Sequence, residues 1–162
     1  MGSGQRTTGS SESKTRTEHK MGVVDYKGLR VYRLAFEAAM QVFEFSKVFP
    51  ADEKYSLRDQ MRRSSRSACA NIAEAWRKRR YQPAFVSKLS DADAEAAETE
   101  VWLEFALRCG YIAPDCYAKL HDHSDHICRQ LRVMMDGAEQ WCSSSHEARE
   151  QLADYFVDAA EL

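Results

Sequence analysis

Between Gly28 and Gly110 the chain has no glycine, and only Pro50 and Pro83 interrupt that stretch; the remaining proline is Pro114. A segment so poor in breakers favours long helices over strands joined by tight turns. Long apolar runs are missing too. None approaches the ~18 residues that a membrane-crossing helix needs, and the N-terminus has no apolar stretch of the secretory type. The cysteines Cys69, Cys109, Cys116, Cys128 and Cys142 are odd in number and form no C-x-x-C pair. That pattern speaks against a disulfide framework and against a zinc ribbon, and it fits a reducing, cytoplasmic setting. The chain also lacks a glycine-rich phosphate loop and a G-x-S-x-G nucleophile elbow, so no motif calls for catalysis or a cofactor.

What is present fits one helical domain with tails. The chain is 162 residues long with 44% hydrophobic and 30% charged residues, enough to bury a core. Net charge is only −2, so nothing global demands a polyanion partner. The charges are nevertheless segregated. Residues 52–80 hold nine Lys/Arg against four Asp/Glu, residues 81–108 two against six, and residues 136–162 one against seven. Blocks of this kind suggest faces that meet other faces, within one subunit or between subunits.

Residues 1–22 contain no aromatic residue and no aliphatic one larger than Met. Such a composition cannot offset the entropy of ordering, which predicts a disordered tail to about residue 24. Helix 1 is expected from about Leu29 to Val48, with a narrow polar stripe of Arg33, Glu37, Gln41, Glu44 and Lys47. The remaining circumference is apolar, so one side of this helix is expected to face another subunit. Helix 2 is expected from Glu53 or Tyr55 to Arg80, with Leu57, Met61, Ser65, Ala68, Ile72 and Ala75 inward. Helix 3 opens with Pro83 in its first turn, buries Phe85, Leu89, Ala92, Ala96, Thr99, Leu103 and Ala106, and stops at Gly110. Pro114 opens helix 4, whose stripe is Cys116, Leu120, Ile127, Leu131, Met134 and Ala138. Four long helices with short connections predict an all-α, up-down four-helix bundle over residues 25–142. A short acidic helix follows over 143–162, opened by the capping box Ser144-Ser145-His146-Glu147 and carrying Leu152, Phe156 and Ala159 on one side.

Three stretches carry a resemblance. They are "YKGLRVYRLAFEAAMQVFEFSKVFP", "EKYSLRDQMRRSSRSACANIAEAWRKR" and "ETEVWLEFALRCGYI". In this order they resemble the four-helix-bundle proteins encoded in 23S rRNA intervening sequences, the S23 family, over about residues 25–135. The run Gln60, Arg62, Arg63, Asn71, Ile72, Ala73 and Glu74 is the most specific part. The resemblance implies a bundle that assembles as a homo-oligomer, typically a pentamer, and associates with ribosomal RNA. More distantly the chain is similar to the accessory protein of diversity-generating retroelements, which works with a reverse transcriptase. Two departures stand out: Ala75 replaces a usual glycine, and Cys69-Ala70 replaces a usual proline-containing pair. The first predicts a helix 2 that runs on into the basic stretch, and the second a straighter helix.

Arg58, Arg62, Arg66, Arg77 and Arg80 fall within about 100° of one another on the helix 2 wheel. A row of guanidiniums on a rigid rod suits phosphates, because each offers a planar fork and a charge that does not titrate. The competing expectation is that the arc is solvated, or pairs with Asp93, Glu100 and Glu104 on helix 3 of a neighbour. No aromatic residue is interleaved with these arginines along the helix, which argues against base stacking and for contacts led by the RNA backbone. Asn71 and Glu74 read as inter-helix hydrogen-bonding groups. "HDHSDHIC", residues 121–128, completes no metal-ligand spacing; only His123 and His126 with Asp122 could share a site, and a polar flank is the expectation. Glu95, Glu98 and Asp91 read as a solvated or intersubunit acidic face. The chain is therefore expected to be a non-enzymatic oligomeric binding module for structured RNA or a ribonucleoprotein. The alternative is a protein-binding scaffold or reverse-transcriptase accessory subunit.

Overall fold

A computed structural model describes residues 25–142, and the expected N-terminal tail and C-terminal acidic helix lie outside the described residues. Four long helices dominate: α1 (Arg30–Phe45), α2 (Asp59–Lys78), α3 (Gln82–Arg108) and α4 (Pro114–Asp136). Each is in contact with the next, and α4 closes the ring against α1. The result is the expected four-helix bundle. No described helix is long and apolar enough to cross a membrane.

The connections follow from local chemistry. A short 3-10 turn, Tyr26–Gly28, precedes α1, and the Asp25 carboxylate caps it by accepting from the Lys27 N–H at 2.8 Å. The last turn of helix 1 tightens into a 3-10 segment at Ser46–Val48 before Pro50. Helix 2 starts as expected but is widened at its entry, with a π turn at Lys54–Arg58 ahead of α2. It also ends earlier than expected, at Lys78 instead of Arg80. Only Arg79–Tyr81 join α2 to α3, and Tyr81 is extended so that Pro83 can occupy the first turn of α3. The chain must leave α2 early to reverse in so few residues. The α3 terminus is a Schellman motif. The Tyr111 N–H bonds to the Ala106 carbonyl at 2.8 Å and the Gly110 N–H to Leu107 at 3.0 Å, with Gly110 at φ +74°. Nothing crowds a Cβ there; the left-handed backbone is what selects glycine.

The core consists of two apolar clusters stacked along the bundle. One gathers residues such as Val31, Ile72, Phe85, Leu89 and Leu131, the other Val42, Leu57, Met61, Leu103 and Leu120. Between them sits a layer of small hydroxyl side chains, Ser64 and Ser65 on α2, Thr99 on α3 and Ser124 on α4, all buried. Thr99 donates to Ser64 Oγ at 2.8 Å and lies 2.9 Å from the Glu95 carbonyl; Ser64 reaches the Met61 carbonyl at 3.3 Å. Every residue expected to point inward from helix 2 and from α3 is buried. On α4, Cys116 is only half-buried and Ser124 is buried; a polar residue carries no weight in an apolar stripe, so the pattern passed over it.

α2 and α3 form the most extensive helix pair, and small residues line it. Ala68, Ala92 and Ala96 are almost completely inaccessible there. Enlarging one of them must push the helices apart. Ala96→Leu is expected to destabilise the protein by about 1–3 kcal/mol, read as a lower midpoint in urea with an unchanged slope.

Candidate functional site

The five arginines singled out by the wheel do not form one uniform row. Arg58, Arg62 and Arg66 cluster at the start of α2, and Arg77 and Arg80 stand at its end with Arg79 beside them. Arg58 is half-buried, and Arg66, Arg77 and Arg80 are exposed. Arg62 differs from the rest. Its Nε donates to Ser46 Oγ at 2.8 Å and its Nη2 to the Phe43 carbonyl at 3.3 Å, and its guanidinium lies 4.8 Å from the Phe43 ring centre. Arg62 thus ties α2 to the end of α1 and has most of its fork committed. Burial, then the charges of Arg58 and Arg66, lower its pKa from the ordinary arginine value. Arg79 is held likewise, stacked 4.2 Å over Trp76 and donating to the Trp76 carbonyl at 2.7 Å. Burial and then the charges of Arg77 and Arg80 lower its pKa too. Like charges are crowded at both ends of the helix, and an anion placed there would relieve the repulsion.

Aromatic residues do approach the arginines, contrary to the expectation: Trp76 of α2 itself lies under Arg79, and α1 supplies Phe43. Phe43 is ringed by Arg62, by Arg66 at 5.8 Å and by Lys47 at 4.6 Å. Cations already occupy that ring, so it offers no free face for a base. Further along α1, Tyr32 packs edge-on to Tyr26 with ring centres 4.9 Å apart and stacks with Phe36 at 6.1 Å. These residues and Met40 wall an open groove of about 440 Å³, whose α2 side is Arg66, Cys69, Ala70 and Ala73. A second concavity, sharing Tyr26 and Ala73, continues it to Arg77 and Lys78. Phe36 is 51% exposed and Met40 45%, so part of the apolar circumference of helix 1 is left uncovered by the described residues. The Cys69 thiol in the groove is pushed up to about 11 by burial, and on α4 the Cys128 thiol is pushed up to about 12, first by burial and then by the Asp93 carboxylate. Both stay protonated at neutral pH and are poor nucleophiles.

The other motif residues face α3. Asn71 Oδ1 accepts from Lys88 Nζ at 3.2 Å, and the same ammonium reaches Glu74 at 3.1 Å and Asp91 at 3.2 Å. Donating hydrogen bonds to Glu74 and then to Asp91 raises the Lys88 pKa above its ordinary value. Asn71 and Glu74 of α2 thus both reach Lys88 on α3. Their hub, Lys88, was missed, since a single lysine on an otherwise unremarked helix face gives no pattern to read. Gln60 and Arg63 bond to each other at 3.0 Å on the exposed side of α2.

The acidic residues considered as partners for the arginine arc are largely engaged within the chain. Glu100 meets His121 at 3.0 Å, Glu104 meets Arg108 at 2.7 Å, and Asp93 is half-buried beside Cys128. In the histidine stretch, His126 Nδ1 lies 2.8 Å from the Asp122 carbonyl. No group of three or more His, Cys, Asp or Glu among the described residues is placed to hold a metal ion.

These contacts separate two kinds of arginine by stability. Arg62→Ala is expected to cost about 1–3 kcal/mol, because a charged donor to buried acceptors is removed. Arg77→Ala and Arg80→Ala are expected to stay within about 0.5 kcal/mol of the parent. Chemical unfolding of the three variants checks both values.

The model of one protein family, described as 23S rRNA-intervening sequence protein, matches residues 27–133. No curated protein matches the chain. Among solved structures, the chain is similar to a protein of unknown function from the S23 ribosomal protein family of Bacteroides thetaiotaomicron. The two share 31% sequence identity, with a TM-score of 0.59 over 65% of this chain and 95% of that one. The matched span includes all of α1, α2 and α3 and most of α4, so the helices that carry the arginines, the groove and the Lys88 clasp are the shared part. The chain belongs to the 23S rRNA-intervening sequence protein family.

Proposed function

We propose that this protein is a non-enzymatic binding module that holds structured RNA, or a ribonucleoprotein, through the arginines of α2. The observation that carries this reading is the crowding of cations at both ends of one helix face. Arg58 and Arg66 crowd Arg62 at one end, and Arg77 and Arg80 crowd Arg79 at the other. From Arg66 to Arg77 the helix advances about 16 Å at 1.5 Å per residue. Two cation groups at that separation can engage phosphates on separate turns of a folded RNA. Contacts of this kind read backbone shape, so the expected specificity is for RNA fold and not for base sequence. The cations already ringing Phe43 support the same view, as does the family's description as proteins of 23S rRNA intervening sequences.

Assembly into a homo-oligomer, a pentamer by the S23 resemblance, would repeat this surface and raise avidity without strengthening any single contact. The second reading is a protein-binding scaffold or reverse-transcriptase accessory subunit, and the observation that favours it is the apolar groove between α1 and α2.

Charge reversal at Arg58, Arg66, Arg77 and Arg80, with Arg62 left intact to preserve its tie to α1, is expected to abolish binding to a short RNA duplex at moderate salt. Single reversals should lower the salt dependence of log Kd by about one unit for each phosphate that is no longer engaged. Wild-type affinity in the fourfold variant overturns the RNA reading. Native mass measured before and after nuclease treatment reports subunit number and any bound RNA together; a protein partner that survives nuclease favours the scaffold.

A further inference from the structure

The groove between α1 and α2 sets an aromatic wall among cations. Tyr26, Tyr32, Phe36 and Met40 form the wall on the α1 side, and Arg66 lines the groove opposite them. From Tyr26 and Ala73 the concavity continues to Arg77 and Lys78. We propose that this groove binds an unpaired stretch of RNA, its bases against the aromatic wall and its phosphates on Arg66, Arg77 and Lys78. The proposal rests on the RNA-binding reading and adds a mode of contact to it, because duplex phosphates alone would leave the wall unused.

Three observations select a single strand. The first is the state of the rings. Phe43, Tyr55 and Trp76 each lie beneath a lysine or an arginine. Among the described residues no cation lies over Tyr26, Tyr32 or Phe36, and these rings pack on one another instead. Phe36 keeps about half of its surface exposed even so. Aromatic rings left free in a positive groove are what successive bases stack on. The α2 side is floored by Ala70 and Ala73, whose single methyl groups leave room for a planar ring.

The second is charge. Arg66, Arg77 and Lys78 are all exposed. Glu74, the carboxylate among the described lining residues, is already held by Lys88 Nζ at 3.1 Å. An apolar helix would cover the wall but leave these cations without a counter-charge. A duplex would satisfy the cations, but its bases are stacked on each other and present no face to Phe36. An unpaired strand meets both demands.

The third is size. Between Arg66 and Arg77 α2 rises about 16 Å, roughly five nucleotides at the 3.4 Å spacing of one stacked strand and fewer when the strand is extended. The groove volume of about 440 Å³ lies within the range of sites that enclose small organic ligands. The RNA recognised would therefore be a duplex that runs into an unpaired stretch, with little preference among bases, since every base has a face to stack.

The test uses the full chain and three RNAs built on one short duplex: blunt, extended by five unpaired adenosines, or extended by five abasic nucleotides. The abasic strand keeps the phosphates of the overhang and lacks its bases. The parent is expected to bind the adenosine overhang about tenfold more tightly than the abasic one, a comparison that needs no variant. Phe36→Leu keeps apolar bulk at a half-exposed position but removes the ring, and it is expected to lose most of that preference. Phe36→Trp is expected to retain it. The blunt duplex, held by the arginines, is the reference for each variant. Equal affinity for the two overhangs in the parent, or a preference that Phe36→Leu leaves intact, overturns the proposal while the RNA-binding reading stands. A changed native mass in Phe36→Leu, by loss of a subunit or of a bound protein, also overturns it, because the ring would then belong to a protein contact. If the parent binds none of the three RNAs, the RNA-binding reading fails and the site fails with it.

Discussion

The close approach of α2 to α3 is the constraint from which the rest of the molecule follows. Alanine and serine where the helices meet let the two backbones come together, and the layer of Ser64 and Thr99 hydroxyls bonds across it. A buried hydroxyl pair tolerates little sliding, because a shift of one turn would leave both groups unpaired among apolar side chains. The Lys88 clasp repeats the alignment near the surface, with one ammonium gathering Asn71 and Glu74 from α2 and Asp91 from its own helix. With α2 thus fixed against α3, its opposite face has one azimuth available. That face carries the arginines and the groove.

α1 is held to α2 differently. Arg62 anchors its C-terminal end through Ser46 and the Phe43 carbonyl, while nearer its start an open, apolar groove lies between the two helices. One arginine of the basic arc thus serves as a structural fastener, and the positions of Arg58 and Arg66 depend on it. The same residue type acts as a strut and as a charge, distinguished only by what the neighbouring helix presents.

Much of this was legible in the amino-acid order. The stripe of α3 from Phe85 to Ala106 is a period of 3.6 without a polar interruption other than Thr99, and all seven residues are buried. Gly110 announced its own left-handed turn. What stayed hidden involves two helices at once. A wheel assigns Arg62 an angle but not the Ser46 and Phe43 oxygens that await it, and it could not show that α1 would bring Phe43 between two arginines. Lys88 looked solitary for the same reason. The end of α2 was misjudged by two residues because the demand comes from α3, which starts at Gln82 behind an extended N-cap, Tyr81, and leaves only three residues for the turn. Periodicity reports one helix at a time, while fasteners and hubs are properties of pairs.

The hydroxyl layer has a consequence for how the bundle breathes. It separates two apolar clusters, one around Phe85 and Leu131, the other around Met61 and Leu103. A seam of serine and threonine transmits less burial energy than continuous leucine would, so the halves need not open together. The end that holds Met61 and Leu103 is pinned by Arg62, by the Schellman turn and by the Tyr111 bond to Glu53 at 3.1 Å. The other end carries the groove and the departing chain. Amide exchange in such a bundle would be graded along its axis, with slow protons at the pinned end and a separate, faster cooperative unit around the arginine-flanked cleft.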